Sequence, residues 1–178
     1  MILGVGRLGP EKRFDFFLQI LSRCRQEARV PLRACLVGDG PLRPELEEMS
    51  RSLGLLDVAL QFRGKLDDVR PLYAEADLLM LTSEREGTPN VIMEAMACGL
   101  PVVATAVGDV PELVRHQVSG FVLGVGDVPG FLAAVKDLAD NPLLRESMGA
   151  QGRCAIEARH DLALLPGTLA NLYADTLS

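Results

Sequence analysis

Asp77-Leu-Leu-Met-Leu-Thr-Ser-Glu-Arg-Glu-Gly-Thr-Pro-Asn-Val-Ile-Met-Glu-Ala-Met-Ala-Cys-Gly-Leu-Pro-Val-Val-Ala-Thr105 decides the fold. Asp77–Thr82 is a short apolar run, Pro89–Cys98 a helix with both ends written out, and Val102–Thr105 a second apolar run. Thr88 is a candidate N-cap, and Pro89 suits the first helical position, where a missing N–H costs nothing. Gly99 fits the left-handed position just past a helix end, and Pro101 blocks continuation. Strands that are apolar throughout, rather than alternating, belong in a parallel sheet covered on both faces.

Outward from this unit the same alternation repeats. Strands are expected at Met1–Val5, Leu32–Val37, Val58–Phe62 and Gly120–Leu123, and helices at Arg13–Ala28, Leu42–Leu53 and Asp67–Ala76. In the first helix Phe14, Phe17, Leu18, Leu21 and Cys24 fall on one stripe. The remainder reads as helices at about Val128–Asp140, Leu143–Ala158 and Leu162–Leu177. The whole is an α/β chain: a Rossmann-like parallel sheet of about six strands with helices on both faces. Ligands of such sheets bind beyond the carboxyl ends of the strands. The loops there are Gly6–Arg13, Gly38–Leu42, Arg63–Asp67, Ser83–Asn90 and Ala106–Val110, which are also the richest in Gly, Pro and charge.

Composition narrows the chemistry. A chain of 178 residues with 48% hydrophobic content is expected to be one domain, residues 1–178. A net charge of -6 speaks against nucleic acid or an anionic membrane as a partner, and the absence of Trp leaves little for base stacking. No apolar run is long enough to span a bilayer, and Met1-Ile-Leu-Gly-Val lacks the basic start of a signal peptide. Cys24, Cys35, Cys98 and Cys154 have no metal-like spacing; they are expected as buried, reduced thiols of a cytoplasmic protein. His116 and His160 are too few and too far apart for zinc, and are expected on the surface or in packing.

Gly4-Val-Gly-Arg-Leu-Gly9 matches a dinucleotide fingerprint in form only. Pro10 interrupts the loop before any helix, and no acidic residue closes the second strand. The same loop carries Arg7 and Lys12, a planar fork and a point charge able to clamp a diphosphate. Glu86 lies in the next loop of interest and Glu94 in the helix after it. Side chains on a helix lean toward its N-terminus, so Glu94 is expected to point back at the free amides of Asn90 and Val91, beside Glu86. Backbone donors flanked by carboxylates fit an anion that also carries hydroxyls, such as a nucleotide diphosphate sugar. Glycoside hydrolysis would want a sugar-stacking platform, and metal binding more ligands nearby; neither is written here. Ser83 sits in no nucleophile elbow and Cys98 has no neighbouring His, so any chemistry rests on positioning and on stabilising a leaving diphosphate.

Val5-Gly-Arg-Leu-Gly-Pro-Glu-Lys12, Val37-Gly-Asp-Gly-Pro41, Phe62-Arg-Gly64, Ala76-Asp-Leu-Leu79, Glu86 to Thr105, Gly108-Asp-Val-Pro-Glu-Leu-Val114 and Gly120-Phe-Val122 occur in that order. Together they resemble the family 4 retaining glycosyltransferases of the GT-B fold, over nearly all of residues 2–140. The resemblance implies that Arg7 and Lys12 hold the donor diphosphate and that Glu86, the catalytic candidate, contacts sugar hydroxyls. Gly87, Thr88, Asn90 and Val91 would lend backbone amides, Glu94 would bind the ribose, and the backbone around Arg63 would meet the base. It further implies no metal and no cofactor, a UDP-, GDP- or ADP-sugar as donor, and front-face attack assisted by the leaving phosphate. Arg13 departs from the Gly that often follows the Lys, and Asp109 from a loop that commonly reads Gly-Gly-Val-Pro. The chain would be the C-terminal, donor-binding half, incomplete for transfer alone. Its last helix, about 162–177, would contact an N-terminal acceptor domain, which would also carry any contact with the inner membrane surface. Two other readings share these residues: a non-catalytic sugar-nucleotide module, and half of a GT-B nucleotide-sugar epimerase.

Overall fold

Six strands, β1 (Ile2–Val5), β2 (Ala34–Val37), β3 (Leu60–Phe62), β4 (Leu78–Leu81), β5 (Val102–Thr105) and β6 (Gly120–Leu123), form one sheet in the order β3-β2-β1-β4-β5-β6. Every neighbouring pair is parallel. The computed structural model describes residues 1–27 and 30–160. The helices are α1 (Phe14–Glu27), α2 (Arg43–Ser52), α3 (Arg70–Glu75), α4 (Asn90–Ala97), α5 (Val110–Leu113), α6 (Val128–Asp140) and α7 (Pro142–His160), with a single 3-10 turn at Pro10–Lys12.

The strands bury both faces because they are apolar at nearly every position; Gln61 of the edge strand β3 is the exposed exception. Ile2, Leu36, Leu78, Met80 and Val103 join Phe14, Phe17 and Leu21 of α1 and Phe131 and Val135 of α6 in one cluster. Leu3, Cys35, Val37, Leu79, Val102 and Ala104 join Ile92 and Met96 of α4 and Tyr73 of α3 in the other. The expected stripe of α1 is buried throughout, and Phe16 and Ile20 join it. The stripe is wider because α6 lies alongside, with the rings of Phe16 and Phe131 edge to face at 5.2 Å. The parallel sheet and its two helical layers are therefore as expected, and β5, β6 and α6 have the expected bounds.

Several local expectations change. Pro89, at φ -77 and ψ 102, is the N-cap of α4 rather than its first residue, and no side chain caps it. The hydroxyl of Thr88 goes instead to the carboxylate of Asp109, a pairing across the sheet that outcompetes the local cap. The far end of α4 is as expected: Gly99 is left-handed at φ 74, its amide donates to Met96 O at 2.9 Å, and the Leu100 amide to Ala95 O at 2.9 Å. Arg13 is left-handed at φ 50 and ends the 3-10 turn, so α1 starts one residue later than expected. Residues 110–113, read in part as loop, close a short helix. The expected helix at about Leu162–Leu177 lies outside the described residues.

The cysteines divide. Cys24 and Cys35 are buried, whereas Cys98 and Cys154 are exposed, contrary to expectation. Cys98 lies one turn beyond the exposed Glu94 on α4, and Cys154 follows the exposed Gln151 on α7, so both fall on solvent faces. Burial pushes the Cys24 thiol up to about 11 and raises Cys35 as well, so neither offers thiolate at neutral pH. Thiol titration should find two fast-reacting cysteines in the native protein and four after unfolding. A native count of zero or four would contradict this partition. His116 packs, its ring edge to face with Phe121 and its Nδ1 accepting from the Val122 amide at 3.1 Å.

Candidate functional site

The strand order reverses between β1 and β4, and the loops leaving those two strands part there to form the crevice of an open α/β sheet. Lys12, after β1, and Glu86, after β4, meet across it, Nζ to Oε1 at 2.6 Å. Their side chains are only 20% and 10% exposed, so the pair is largely withdrawn from water. The buried Ser83 hydroxyl donates to the same Oε1 at 2.6 Å, which leaves Oε2 without a partner among the described residues.

Backbone and hydroxyl bonds lace these loops together. Thr82 Oγ1 donates to the carbonyls of Lys12 and Arg13, both at 3.0 Å, and the Glu84 amide donates to Glu11 O at 2.8 Å. Thr105, ending β5, donates to Ser83 O at 2.6 Å. A left-handed turn at Arg13 directly follows Lys12 and leads into α1. A Gly would adopt it freely; here the guanidinium instead bonds Asp15 at 2.9 Å and also contacts Glu84. Arg7 is exposed on the same strand-end loop, which is fixed by the amides of Gly6 and Leu8 donating to Val37 O and Asp39 O at 2.9 and 3.0 Å.

The loop from Glu86 into α4 carries free donors. Among the described residues no acceptor reaches the amides of Gly87, Thr88, Asn90 or Val91, and Asn90 and Val91 open the helix, where its dipole adds positive potential. The loop after β5 braces this stretch: the Asp109 amide donates to Gly87 O at 3.1 Å, and its carboxylate takes the Thr88 hydroxyl.

Glu94 is placed differently from expectation. It is exposed on α4 and pairs with neither Lys12 nor Ser83; its Oε2 accepts from the buried Tyr73 hydroxyl at 2.8 Å. It borders a recess of about 500 Å³ between α3 and α4, lined also by Val69, Arg70, Ala97 and Cys98. The two carboxylates therefore have separate partners rather than one shared spot: Glu86 has Lys12 and Ser83, and Glu94 has Tyr73 of α3. Arg63, at the end of β3, is exposed; its amide donates to Leu36 O at 2.9 Å. Ser83, Thr82, Thr105, Tyr73 and Asp109 were not among the expected site residues. Polar residues ending the apolar runs at Thr82-Ser83 and Thr105 were the available signal for three of them. Among the described residues no group of three or more His, Cys, Asp and Glu converges as a metal would need, and no helix is long and apolar enough to cross a membrane.

The chain is similar in sequence and fold to known proteins. Residues 1–141 match the profile of the family described as glycosyl transferases group 1. The chain is 30% identical over 177 residues to N-acetyl-alpha-D-glucosaminyl L-malate synthase of Bacillus anthracis, covering 99% of this chain and 46% of that protein. It is 32% identical over 186 residues to D-inositol 3-phosphate glycosyltransferase of Thermobispora bispora, covering 99% of this chain and 43% of that protein. Among solved structures, Anabaena HepE in complex with UDP and glucose superposes with a TM-score of 0.84 at 28% identity, over 98% of this chain and 48% of HepE. The chain thus spans less than half the length of each of these relatives.

Proposed function

Because the chain belongs to the glycosyl transferases group 1 family, we propose that it binds a nucleotide diphosphate sugar as the donor half of a retaining, metal-independent glycosyltransferase. The observation that carries this reading is the Lys12–Glu86 pair at the strand-order reversal, beside unpaired amides at the start of α4. A diphosphate there meets Lys12, Arg7 and the amides of Asn90 and Val91, while Oε2 of Glu86 is available to a sugar hydroxyl. Glu94 takes the ribose, and the backbone around Arg63 takes the base. On transfer the bond from the sugar's anomeric carbon to phosphate oxygen breaks, the acceptor oxygen bonds to that carbon, and the acceptor proton passes to the departing phosphate. The chain's contribution is to neutralise charge as it develops on the diphosphate. The acceptor is held by an N-terminal domain, in keeping with the chain's share of its relatives' length. Two exposed free thiols suit a reducing, cytoplasmic compartment.

Calorimetry with UDP, GDP and ADP tests the reading, and failure of all three to bind at millimolar concentration would overturn it. Glu94→Ala should weaken the preferred nucleotide by roughly tenfold, the scale of one hydrogen bond to a charged group. Glu86→Ala should leave free nucleotide bound while removing the preference for the nucleotide sugar. If both variants bind like the parent, these residues do not form the site.

A further inference from the structure

Glu94 is exposed on a helix surface, where a glutamate ordinarily samples several rotamers and pays entropy to hold one. Here one bond restricts it. Tyr73 of α3 is 2% exposed and donates its phenol proton to Glu94 Oε2 at 2.8 Å, which leaves Oε1 without a partner among the described residues. The constraint is reciprocal. Tyr73 borders the same recess as Glu94, and Glu94 is the one acceptor of its hydroxyl among the described residues. Burial, and then the bond to Glu94, hold the phenol well above its ordinary pKa, so it stays a donor at neutral pH. Arg70, on the same recess, is engaged by Asp68 at 2.8 and 2.9 Å and does not compete for Glu94.

We propose that Tyr73 is a positioning residue: by occupying one carboxylate oxygen of Glu94 it presets the other for a ribose hydroxyl. The inference rests on the assignment of Glu94 to the ribose. Tyr73 touches no ligand; it acts through Glu94, and its effect is confined to the ribose hydroxyls.

Calorimetry separates this role from a packing role. The probes are whichever of UDP, GDP and ADP the parent binds most tightly, and the 2′,3′-dideoxy analogue of that nucleotide. Tyr73→Phe keeps the buried ring and removes only the hydroxyl. It should weaken the ribonucleotide by about threefold, less than Glu94→Ala does, while leaving the dideoxy analogue unchanged, so the preference shrinks by the same factor. In a Glu94→Ala background the same substitution should not change the preference further. Tyr73→Phe with the parent's preference, or with both ligands weakened alike, overturns the positioning role while the donor reading stands. A parent that binds none of the three nucleotides overturns the donor reading, and this inference with it.

Discussion

Lys12→Ala should lower affinity for the preferred nucleotide diphosphate by about 100-fold, or ~2.7 kcal/mol. This lies near the top of the ~1.5–3 kcal/mol range for one hydrogen bond to a charged group, because two effects add. The first is direct, the loss of the cation that the diphosphate would meet. The second comes from Glu86. Its carboxylate is 10% exposed and bonds Lys12 at 2.6 Å and Ser83 at 2.6 Å through the same oxygen. Without Lys12 it keeps only a neutral hydroxyl and stands as an uncompensated negative charge beside the incoming phosphates. Repulsion in a site withdrawn from water is screened less than at the surface. Lys12→Ala combined with Glu86→Gln should therefore recover roughly tenfold of the loss, since the amide keeps the shape and removes the charge. Were Lys12 merely one phosphate contact, the double variant would bind no better than the single. Calorimetry on the two variants decides, and Lys12→Ala within about twofold of the parent would remove Lys12 from the site.

The sequence carried most of the fold because the signals that set it are local. Gly99 and Pro101 end α4 through backbone conformation alone, and unbroken apolar runs at Leu78–Leu81 and Val102–Thr105 permit little except a two-sided parallel sheet. Membership of Lys12 and Glu86 in one edge of the sheet follows from the alternation of strands and helices, and their meeting follows from the order reversal. Side-chain partnerships did not follow, since they join residues distant in sequence. Thr88 has the local credentials of an N-cap, yet Asp109 takes its hydroxyl. Tyr73 is buried on α3, but its hydroxyl reaches Glu94 on another element. Arg13 marks the opposite situation. Its departure from Gly was visible, whereas its left-handed conformation depends on Thr82, Asp15 and Glu84 bonding around it.

Gly108→Ala should cost about 100-fold in nucleotide-sugar affinity as well as some stability, because it displaces the loop that carries Glu86. Gly108 is left-handed at φ 51, and a Cβ there would stand 2.3 Å from Glu86 O and 2.5 Å from Gly87 O. Both obstacles are backbone, so no side chain can swing aside; the Glu86–Gly87 segment must move or the loop after β5 must retreat. Either breaks the Asp109 amide bond to Gly87 O and shifts the amides proposed to meet phosphate oxygens, whose hydrogen bonds tolerate only a few tenths of an ångström. A shift of order 1 Å at such a site is worth about 100-fold. The left-handed conformation adds its own cost of about 1–2 kcal/mol, which would lower the melting temperature without touching the site. Gly126→Ala isolates that cost. Gly126 is left-handed at φ 76 with nothing within 4 Å of its Cβ position, and it lies between β6 and α6, two strands along the sheet from β4. Gly126→Ala should melt a few degrees lower, at ~2–4 °C per kcal/mol, Gly108→Ala lower still, and only Gly108→Ala should lose the ligand. Equal binding by the two would mean that the loop after β5 does not brace Glu86. Equal loss would mean that general destabilisation, rather than displacement of the Glu86 loop, governs binding.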